Sequence, residues 1–232
     1  FYEEPTVTDK NADPFLTVED GSIEYKDVCF RYNKDSDKNI VDNVSFKINS
    51  GETVGIIGST GSAKSTLVQL IPRLYDADEG QILVGGRDVR DYTFRSLRGA
   101  VSFVPQQNTL FSGSVKENIR WGNPDATDEQ LRSALHTAAA DFVFALPNGL
   151  DTQCFESGAG LSEGQAQRIA IARALLRPGS ILLLDEFSSA LDAQTESTLM
   201  ERLTSRLPDH TMIFITHREK IIDYCDSILR LS

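Results

Sequence analysis

The chain has 232 residues, enough for one large domain or two small ones, and its 40% hydrophobic and 25% charged content is typical of a globular protein. With 23 Lys and Arg against 34 Asp and Glu, its formal charge of −11 argues against a surface built to hold nucleic acid. No apolar run approaches the roughly 20 residues that span a bilayer. The scattered Cys29, Cys154 and Cys225 match no zinc-ligand spacing and predict reduced thiols in a cytoplasmic protein.

The first 18 residues contain two prolines and several Asp, Asn and Thr residues without hydrophobic periodicity, which predicts a linker. Because the sequence begins without Met, we expect this linker to follow an upstream segment. Beyond it, apolar and polar residues partly alternate at 23–32 and 44–48, which predicts two half-buried antiparallel strands. The polar residues 33–39 between them predict a loop.

Short runs of mostly branched apolar residues then alternate with stretches of helical spacing or composition. The apolar runs are residues 53–57, 101–104, 181–184 and 212–215. The helical stretches are residues 64–74, 128–145, 164–176 and 194–207. Continuous apolar runs of this length are typical of strands buried on both faces of a parallel sheet. Thr127 and Gln130 are spaced as a capping box for the second helix. The alternation predicts an α/β architecture with right-handed crossovers.

Polar groups follow each of these predicted parallel strands. A glycine-containing loop at 58–66 follows the first run, Gln106 follows the second, Asp185 and Glu186 follow the third, and His217 follows the fourth. In open parallel sheets, ligands bind outside the carboxyl ends of the strands. We therefore expect these groups to meet in one pocket.

The loop after the first strand precedes a helix, the context that a phosphate-binding loop requires. Its residues, all predicted to contact the ligand, are Gly58, Ser59, Thr60, Gly61, Ser62, Ala63, Lys64, Ser65 and Thr66. Small residues let successive backbone N–H groups converge on phosphate oxygens. Lys64 would reach the outer phosphates, and the Ser65 hydroxyl would bind Mg²⁺. Ala63 stands where the strict pattern has glycine, so its Cβ either fits a helical φ or crowds the phosphates.

The two acids after the third strand suit different tasks. Asp185 would hold Mg²⁺ directly or through water, and Glu186 would polarise an attacking water.

Residues 161–165 allow two interpretations. Ser162 and Gln165 have the spacing of a capping box for the following helix. A capped helix start with Gly164 in its first turn could equally bind an anion at close approach. The sequence alone leaves both open.

Several of these features recur together in one known family. They are the loop at 58–66, Gln106, residues 161–165, Asp185 and Glu186, residues 189–192, and His217. In order and spacing they resemble the nucleotide-binding domain of ABC transporters, over residues 20–231. The resemblance implies an α/β fold with a RecA-like P-loop NTPase core and a mostly parallel sheet. It also implies an N-terminal antiparallel β subdomain and a helical subdomain at about 107–170, within an ATPase domain covering 19–232.

The resemblance implies ATP and Mg²⁺ as ligands and assigns individual roles. Tyr32 would stack on adenine, Glu186 would be the catalytic base, and His217 would contact the γ-phosphate. Gln106 would lie near Mg²⁺ and the attacking water, and would couple the site to a transmembrane part. The implied catalytic residues are Glu186, His217, Gln106 and Lys64. The implied Mg²⁺ ligands are Ser65, Gln106 and Asp185.

The same resemblance implies that Ser162, Gly164 and Gln165 contact ATP held by an opposite protomer. The active unit would then be a head-to-tail dimer with a second nucleotide-binding domain, identical or not, and Asp192 would organise communication across it. Glu163 stands where a glycine is usual. The repulsion between a unit negative charge and a phosphate charge ~6 Å away is roughly 3 kcal/mol at an effective dielectric constant of about 20. We therefore expect Glu163 to point outward.

Residues 110–119 and 156–160 resemble exporter-type domains, in which the transmembrane part precedes the ATPase on one polypeptide. Glu156 would lie near the coupling contact, and the domain would work at the cytoplasmic face of the membrane. The expected function is ATP hydrolysis that powers solute export. Ala63 and Glu163 keep open a nucleotide-gated dimerisation module with little hydrolysis. The acidic composition disfavours a relative that works on DNA or ribosomes.

Overall fold

A computed structural model describes residues 7–59, 61, 63–107, 110–154 and 160–231 of the chain, apart from the side chain of Glu219. The strands are β1 (Ile23–Phe30), β2 (Val41–Ile48), β3 (Thr53–Gly58), β4 (Glu79–Val84), β5 (Arg87–Asp88), β6 (Val101–Val104), β7 (Gly113–Ser114), β8 (Gln153–Cys154), β9 (Ile181–Asp185), β10 (Thr211–Ile215) and β11 (Ser227–Leu231). The α-helices are α1 (Lys64–Leu70), α2 (Phe94–Ala100), α3 (Val115–Arg120), α4 (Asp128–Thr137), α5 (Glu163–Leu175), α6 (Ala193–Arg206) and α7 (Glu219–Ile222). Short 3₁₀ helices lie at Val89–Asp91, Asp141–Ala145 and Gly149–Asp151.

A five-stranded parallel sheet, in the order β11-β3-β10-β9-β6, forms the centre of the fold. Its three inner strands and the edge strand β6 contain the four apolar runs of the sequence, as predicted. The register places Ile215 beside both Ile56 and Asp185, so the carboxyl ends of β3, β10 and β9 lie level. The residues that follow these strands therefore emerge side by side at one edge of the sheet.

Alternate residues of the parallel sheet belong to two different hydrophobic cores. Leu182 and Leu184 of β9 pack with the core that contains buried residues of α3, α4, α5 and α6. Ile181 and Leu183 pack with the core that contains α1 and the antiparallel strands. The sheet is thus covered on both faces, which explains why its strands are continuously apolar rather than alternating.

The antiparallel sheet has the order β2-β1-β4-β5, and the sequence predicted only its first two strands. A register shift lies between Lys26 and Cys29 where β1 pairs with β4. Gly80 faces this irregularity at φ +80°, and a Cβ there would lie 2.3 Å from the carbonyl oxygen of Lys26. Glycine is therefore required for the two strands to approach.

Two predicted helices end earlier than expected. The helix predicted over 64–74 ends at Leu70, because Pro72 lacks an N–H and Arg73 adopts φ +52°. The helix predicted over 128–145 is α4 followed by the 3₁₀ helix Asp141–Ala145, with Ala139 at φ +52° between them. The predicted capping box is confirmed: Gln130 N donates to Thr127 Oγ1 and Thr127 N donates to Gln130 Oε1.

The described part of the predicted linker lies against the domain. The Phe94 N–H at the start of α2 donates to Asp9 Oδ2 at 2.9 Å, and Ser96 Oγ donates to the Leu16 carbonyl at 2.7 Å. Arg73 Nη2 donates to the Thr8 carbonyl at 3.0 Å. Within the described ranges, every helix is too short or too polar to be a membrane span.

Candidate active site

The loop between β3 and α1 folds around the side chain of Lys64. Lys64 Nζ donates to the carbonyl oxygens of Gly58 at 3.0 Å and Ser59 at 2.7 Å, and the residue is only 5% exposed. Gly61 has φ +83°. Thr60 and Ser62, also predicted to contact phosphate, lie outside the described residues. The ammonium group is therefore held at the mouth of the loop, where an anion can replace carbonyl oxygens as its partner.

Ala63 takes a left-handed backbone conformation, φ 61° and ψ 13°, directly before α1. Two outcomes were expected for this residue: a Cβ that fits a helical φ, or one that crowds the phosphates. The left-handed φ shows that the first outcome is wrong. A non-glycine residue in this region costs roughly 1–2 kcal/mol relative to glycine. The loop keeps the geometry that glycine would adopt, at a cost in stability.

A cavity of about 490 Å³ opens beside this loop. Its described lining is Tyr32, Ile40, Gly61, Ala63, Lys64, Ser65, Thr66, Gln106, Glu186 and His217. The structure thus brings the predicted phosphate loop, amide, acid and imidazole into one site. Ile40 was not predicted, because a single apolar residue in a polar loop carries no periodic signal.

Glu186 lies at the centre of the hydrogen bonds in this cavity. Gln106 Nε2 donates to Glu186 Oε2 at 2.6 Å, and His217 Nε2 lies 3.1 Å from Glu186 Oε1. Glu186 has φ 45°, and its N–H donates to the Ile215 carbonyl of β10 at 3.0 Å. A left-handed glutamate costs energy, and such strain is common at functional sites. The arrangement aims one carboxylate between an amide and an imidazole.

Asp185, at the end of β9, is only 2% exposed. Burial raises the pKa of its carboxyl, a hydrogen bond from Ser65 opposes that rise, and the neighbouring Glu186 charge adds to it. Among the described residues, none provides a hydrogen-bond partner to Asp185 Oδ1. A divalent cation would neutralise this carboxylate and occupy its free oxygen. Asp185 and the Ser65 hydroxyl are hard oxygen ligands, which Mg²⁺ prefers.

The described residues contain no group of three or more His, Cys, Asp and Glu side chains that could hold a metal ion. A site made of one carboxylate and one hydroxyl fits Mg²⁺ that is held jointly with phosphates of a nucleotide.

Tyr32 stands at the rim of the cavity and is 47% exposed. Its hydroxyl lies 3.0 Å from Thr66 Oγ1 and donates to Gln69 Oε1 at 3.2 Å. Phe30 and Tyr75 meet its ring edge to face, each with a centroid distance of 5.0 Å. The ring is thus held in place with part of its surface open, as stacking on a base requires. Tyr75 was not predicted.

Comparison with known proteins identifies the family of this chain. The family model described as "ABC transporter" matches residues 41–189. The chain belongs to the ABC transporter family. The resemblance inferred from the sequence is confirmed, and so is the P-loop fold.

Relatives of this ABC domain are much longer proteins. "Putative multidrug export ATP-binding/permease protein YgaD" of Bacillus subtilis is 44% identical over 210 residues, which are 90% of this chain and 36% of that protein. A Staphylococcus aureus (strain Mu50) protein of the same description is 43% identical over 215 residues, 92% of this chain and 37% of its own. The chain therefore spans a little over a third of these relatives.

A solved structure has the same fold. "Structure of a bacterial Atm1-family ABC exporter with ATP bound" superposes with a TM-score of 0.90 at 39% identity, over 96% of this chain and 39% of that one. This domain therefore has the same fold as the matching part of that exporter.

In this ABC domain, none of the described residues 161–165 lines the cavity. Gln165 N donates to Ser162 Oγ at 3.2 Å and Ser162 N donates to Gln165 Oε1 at 2.9 Å, so the capping box is confirmed. A Cβ on Gly164 would lie 2.5 Å from the Ala190 carbonyl oxygen, so this glycine is required by packing. Glu163 is exposed, as expected. A contact of this segment with nucleotide stays a prediction.

Asp192, predicted to organise communication across a dimer, caps α6. Its Oδ1 accepts from Thr195 N at 2.9 Å and its Oδ2 accepts from Thr195 Oγ1 at 2.8 Å. These bonds lower the pKa of its carboxyl. Glu156 lies outside the described residues.

Proposed function

We propose that this ABC domain hydrolyses ATP and that hydrolysis powers export of a solute across a membrane. The observation that carries the proposal is the Glu186 carboxylate, held between Gln106 and His217 in the cavity that also contains Lys64. A carboxylate oriented in this way beside a phosphate loop can accept a proton from water.

Binding begins at the loop. The ammonium group of Lys64 exchanges its bonds to the Gly58 and Ser59 carbonyls for bonds to the outer phosphates, and the backbone N–H groups of the loop bind further oxygens. Tyr32 stacks on the adenine at the rim. When Mg²⁺ is bound, it supplies positive charge to the phosphate oxygens, and Ser65 and Asp185 are the residues that fit it best; Gln106 is the third predicted ligand.

In the chemical step, Glu186 accepts a proton from a water molecule whose oxygen forms a bond to the γ-phosphorus. The bond between the γ-phosphorus and the bridging oxygen breaks, and the electron pair leaves with ADP. Gln106 and His217 hold the Glu186 carboxylate in position, and His217 contacts the γ-phosphate. Lys64 stabilises the charge that develops on the phosphate oxygens.

We further propose that two such domains form a head-to-tail dimer. Ser162, Gly164 and Gln165 would then contact ATP held by the second domain. Their position outside the cavity of their own chain supports this arrangement. At the N-terminal start of α5, Ser162 and Glu163 of the capped turn are exposed and would face such a partner.

A transmembrane partner on the same full-length chain is part of the proposal, with this domain at the cytoplasmic face of the membrane. The relatives named ATP-binding/permease proteins support it, since this chain spans only 36% of the first of them. The region at about 107–170 would face the transmembrane part. It exposes Trp121, 67% accessible, beside the half-exposed Phe111 at a centroid distance of 5.0 Å.

The alternative of a nucleotide-gated module without hydrolysis has little support. Ala63 and Glu163 motivated it, yet Ala63 keeps the left-handed geometry of the loop and Glu163 is exposed. Glu186, Gln106 and His217 form the hydrogen-bonded set that hydrolysis needs.

Phosphate release by the purified chain, with MgATP and at increasing protein concentration, tests the proposal. We expect the rate per chain to rise with concentration, because the active unit is a dimer. ATP binding without phosphate release at every concentration would favour the nucleotide-gated module instead.

A further inference from the structure

An ion pair between a buried carboxylate and a partly exposed guanidinium group adjoins His217 in the chain. Arg218 follows His217 in the chain, and its Nη1 donates to Glu196 Oε2 of α6. Glu196 is only 4% exposed. Neither residue is among the described lining of the cavity, and neither has a role in the proposed hydrolysis. A carboxylate this deeply buried needs a charged partner, so the pair holds Arg218 in one position.

The same guanidinium group binds two backbone carbonyls of the turn that follows Glu186. Arg218 Nη1 donates to the Leu191 carbonyl at 3.1 Å and Nη2 donates to the Ser189 carbonyl at 3.4 Å. The Arg218 N–H donates to Thr216 Oγ1 at 2.9 Å, which fixes the backbone on either side of His217. One side chain therefore joins the His217 loop to the turn at residues 189–191.

This turn is also the surface on which α5 begins. Between the two carbonyls that Arg218 binds is the Ala190 carbonyl, against which Gly164 packs. The turn itself starts from Glu186, whose carbonyl accepts from Ser189 N at 3.2 Å. A continuous set of contacts thus runs from Glu186 and His217, through Arg218 and the turn, to the first turn of α5.

We propose that Arg218, oriented by Glu196, is a positioning residue that fixes the turn at 189–191 relative to His217, and so keeps the first turn of α5 and the hydrolytic end of the cavity in one relative position. The inference rests on the proposed function. It predicts that the pair affects the rate of hydrolysis but not nucleotide affinity. The reason is that Lys64 bonds to the carbonyls of the phosphate loop and not to Arg218 or Glu196.

A second arginine–carboxylate pair on the same helix serves as a control, although its carboxylate side chain is 45% exposed against 6% for Glu196. Arg202 of α6 binds Asp141 Oδ2 and donates to the His136 carbonyl at 2.6 Å, so it too joins an ion pair to a backbone carbonyl. Neither Arg202 nor Asp141 is among the described lining of the cavity. A loss of kcat that came only from lost stability would follow the change in unfolding free energy at both places, which urea unfolding measures.

The experiment compares two double variants, R218M/E196Q and R202M/D141N. Each removes one ion pair without leaving a charged carboxylate unpaired. Arg218→Lys is the conservative variant. Urea unfolding, ATP binding by calorimetry and phosphate release are measured on each. We expect R218M/E196Q to lower kcat at least tenfold with an ATP Kd within twofold of the wild type. The R202M/D141N variant should keep kcat within twofold, and Arg218→Lys should restore part of the rate.

Equal loss of kcat in both double variants, or an unchanged kcat in R218M/E196Q, would overturn the inference. A wild-type chain that releases no phosphate would instead contradict the proposed function. Amide hydrogen exchange then tests the positioning role independently of activity. Exchange at residues 162–166 should accelerate in R218M/E196Q and in Arg218→Lys but not in R202M/D141N, and equal exchange in all variants would overturn the inference.

Discussion

The cavity beside Lys64 and the turn at 161–165 both carry residues predicted to contact nucleotide, but their polar atoms differ in what they bind. Beside the cavity, Asp185 Oδ1 has no hydrogen-bond partner among the described residues. Lys64 Nζ donates to the carbonyl oxygens of Gly58 and Ser59 in its own loop. In the turn, Ser162 and Gln165 bind each other's backbone in a capping box. The first region has a carboxylate oxygen without a hydrogen-bond partner among the described residues and two strained backbone positions, Ala63 and Glu186. In the second region, Ser162 and Gln165 satisfy each other's hydrogen bonds. The same chain thus provides one site that needs a ligand and one surface that is stable without it.

The largest effect should come from Glu186→Gln in the cavity. The amide keeps the shape of the side chain but cannot accept a proton from water, so hydrolysis should slow at least about 100-fold while ATP still binds. Phosphate release and calorimetry measure the two properties. Glu163→Gly in the turn is the control: this exposed side chain should leave both the hydrolysis rate and dimer affinity unchanged. Full turnover by Glu186→Gln would refute its assignment.

Lys64→Ala should weaken ATP binding by about 10–100-fold, because it removes charge-assisted bonds worth roughly 1.5–3 kcal/mol. Calorimetry with MgATP measures the loss. Lys116→Ala, which breaks an ion pair with Asp128 outside the described cavity lining, is the control and should keep the wild-type Kd. Equal affinity in both variants would mean that Lys64 does not bind phosphate.

Ser162→Ala should lower the free energy of unfolding by about 1 kcal/mol, since it removes the N-cap of α5. The Kd for ATP of the monomer should not change, because the described cavity contains no atom of this turn. Ser162→Thr keeps an oxygen that can cap and should remain near the wild type. Weaker ATP binding by the monomeric Ser162→Ala variant would contradict the separation between the two regions.

Ala63→Gly should change stability by a similar amount but in the opposite direction. Glycine adopts φ 61° without steric cost, so the variant should gain roughly 1 kcal/mol in unfolding free energy. Urea unfolding at equal protein concentration measures the gain. Glu201→Gly, at an exposed position inside α6, is the control and should lower the unfolding free energy, since glycine destabilises a helix interior. A loss of stability in Ala63→Gly would show that the left-handed position is not strained.

Not every element could be predicted from the sequence. The strands of the parallel sheet were recognisable because both of their faces are buried, which makes them continuously apolar. In contrast, β4 begins with Glu79, Gly80 and Gln81, a pattern that carries no strand signal until the glycine is seen to fit against β1. The short helices α2 and α3 were also missed, because seven and six residues show too little periodicity. Buried Leu97 and Ile119 stabilise them through tertiary packing.

The sequence by itself determined which chemical groups the site contains, because the phosphate loop, the acids and the imidazole each follow a strand whose apolar pattern is local. Only the tertiary structure decided how these groups meet. Gln106 and Glu186 are 80 residues apart, and Arg218 is 22 residues from Glu196, so no local pattern relates them. The left-handed backbone of Ala63 and Glu186 likewise depends on the surrounding contacts, which hold conformations that the residues themselves disfavour.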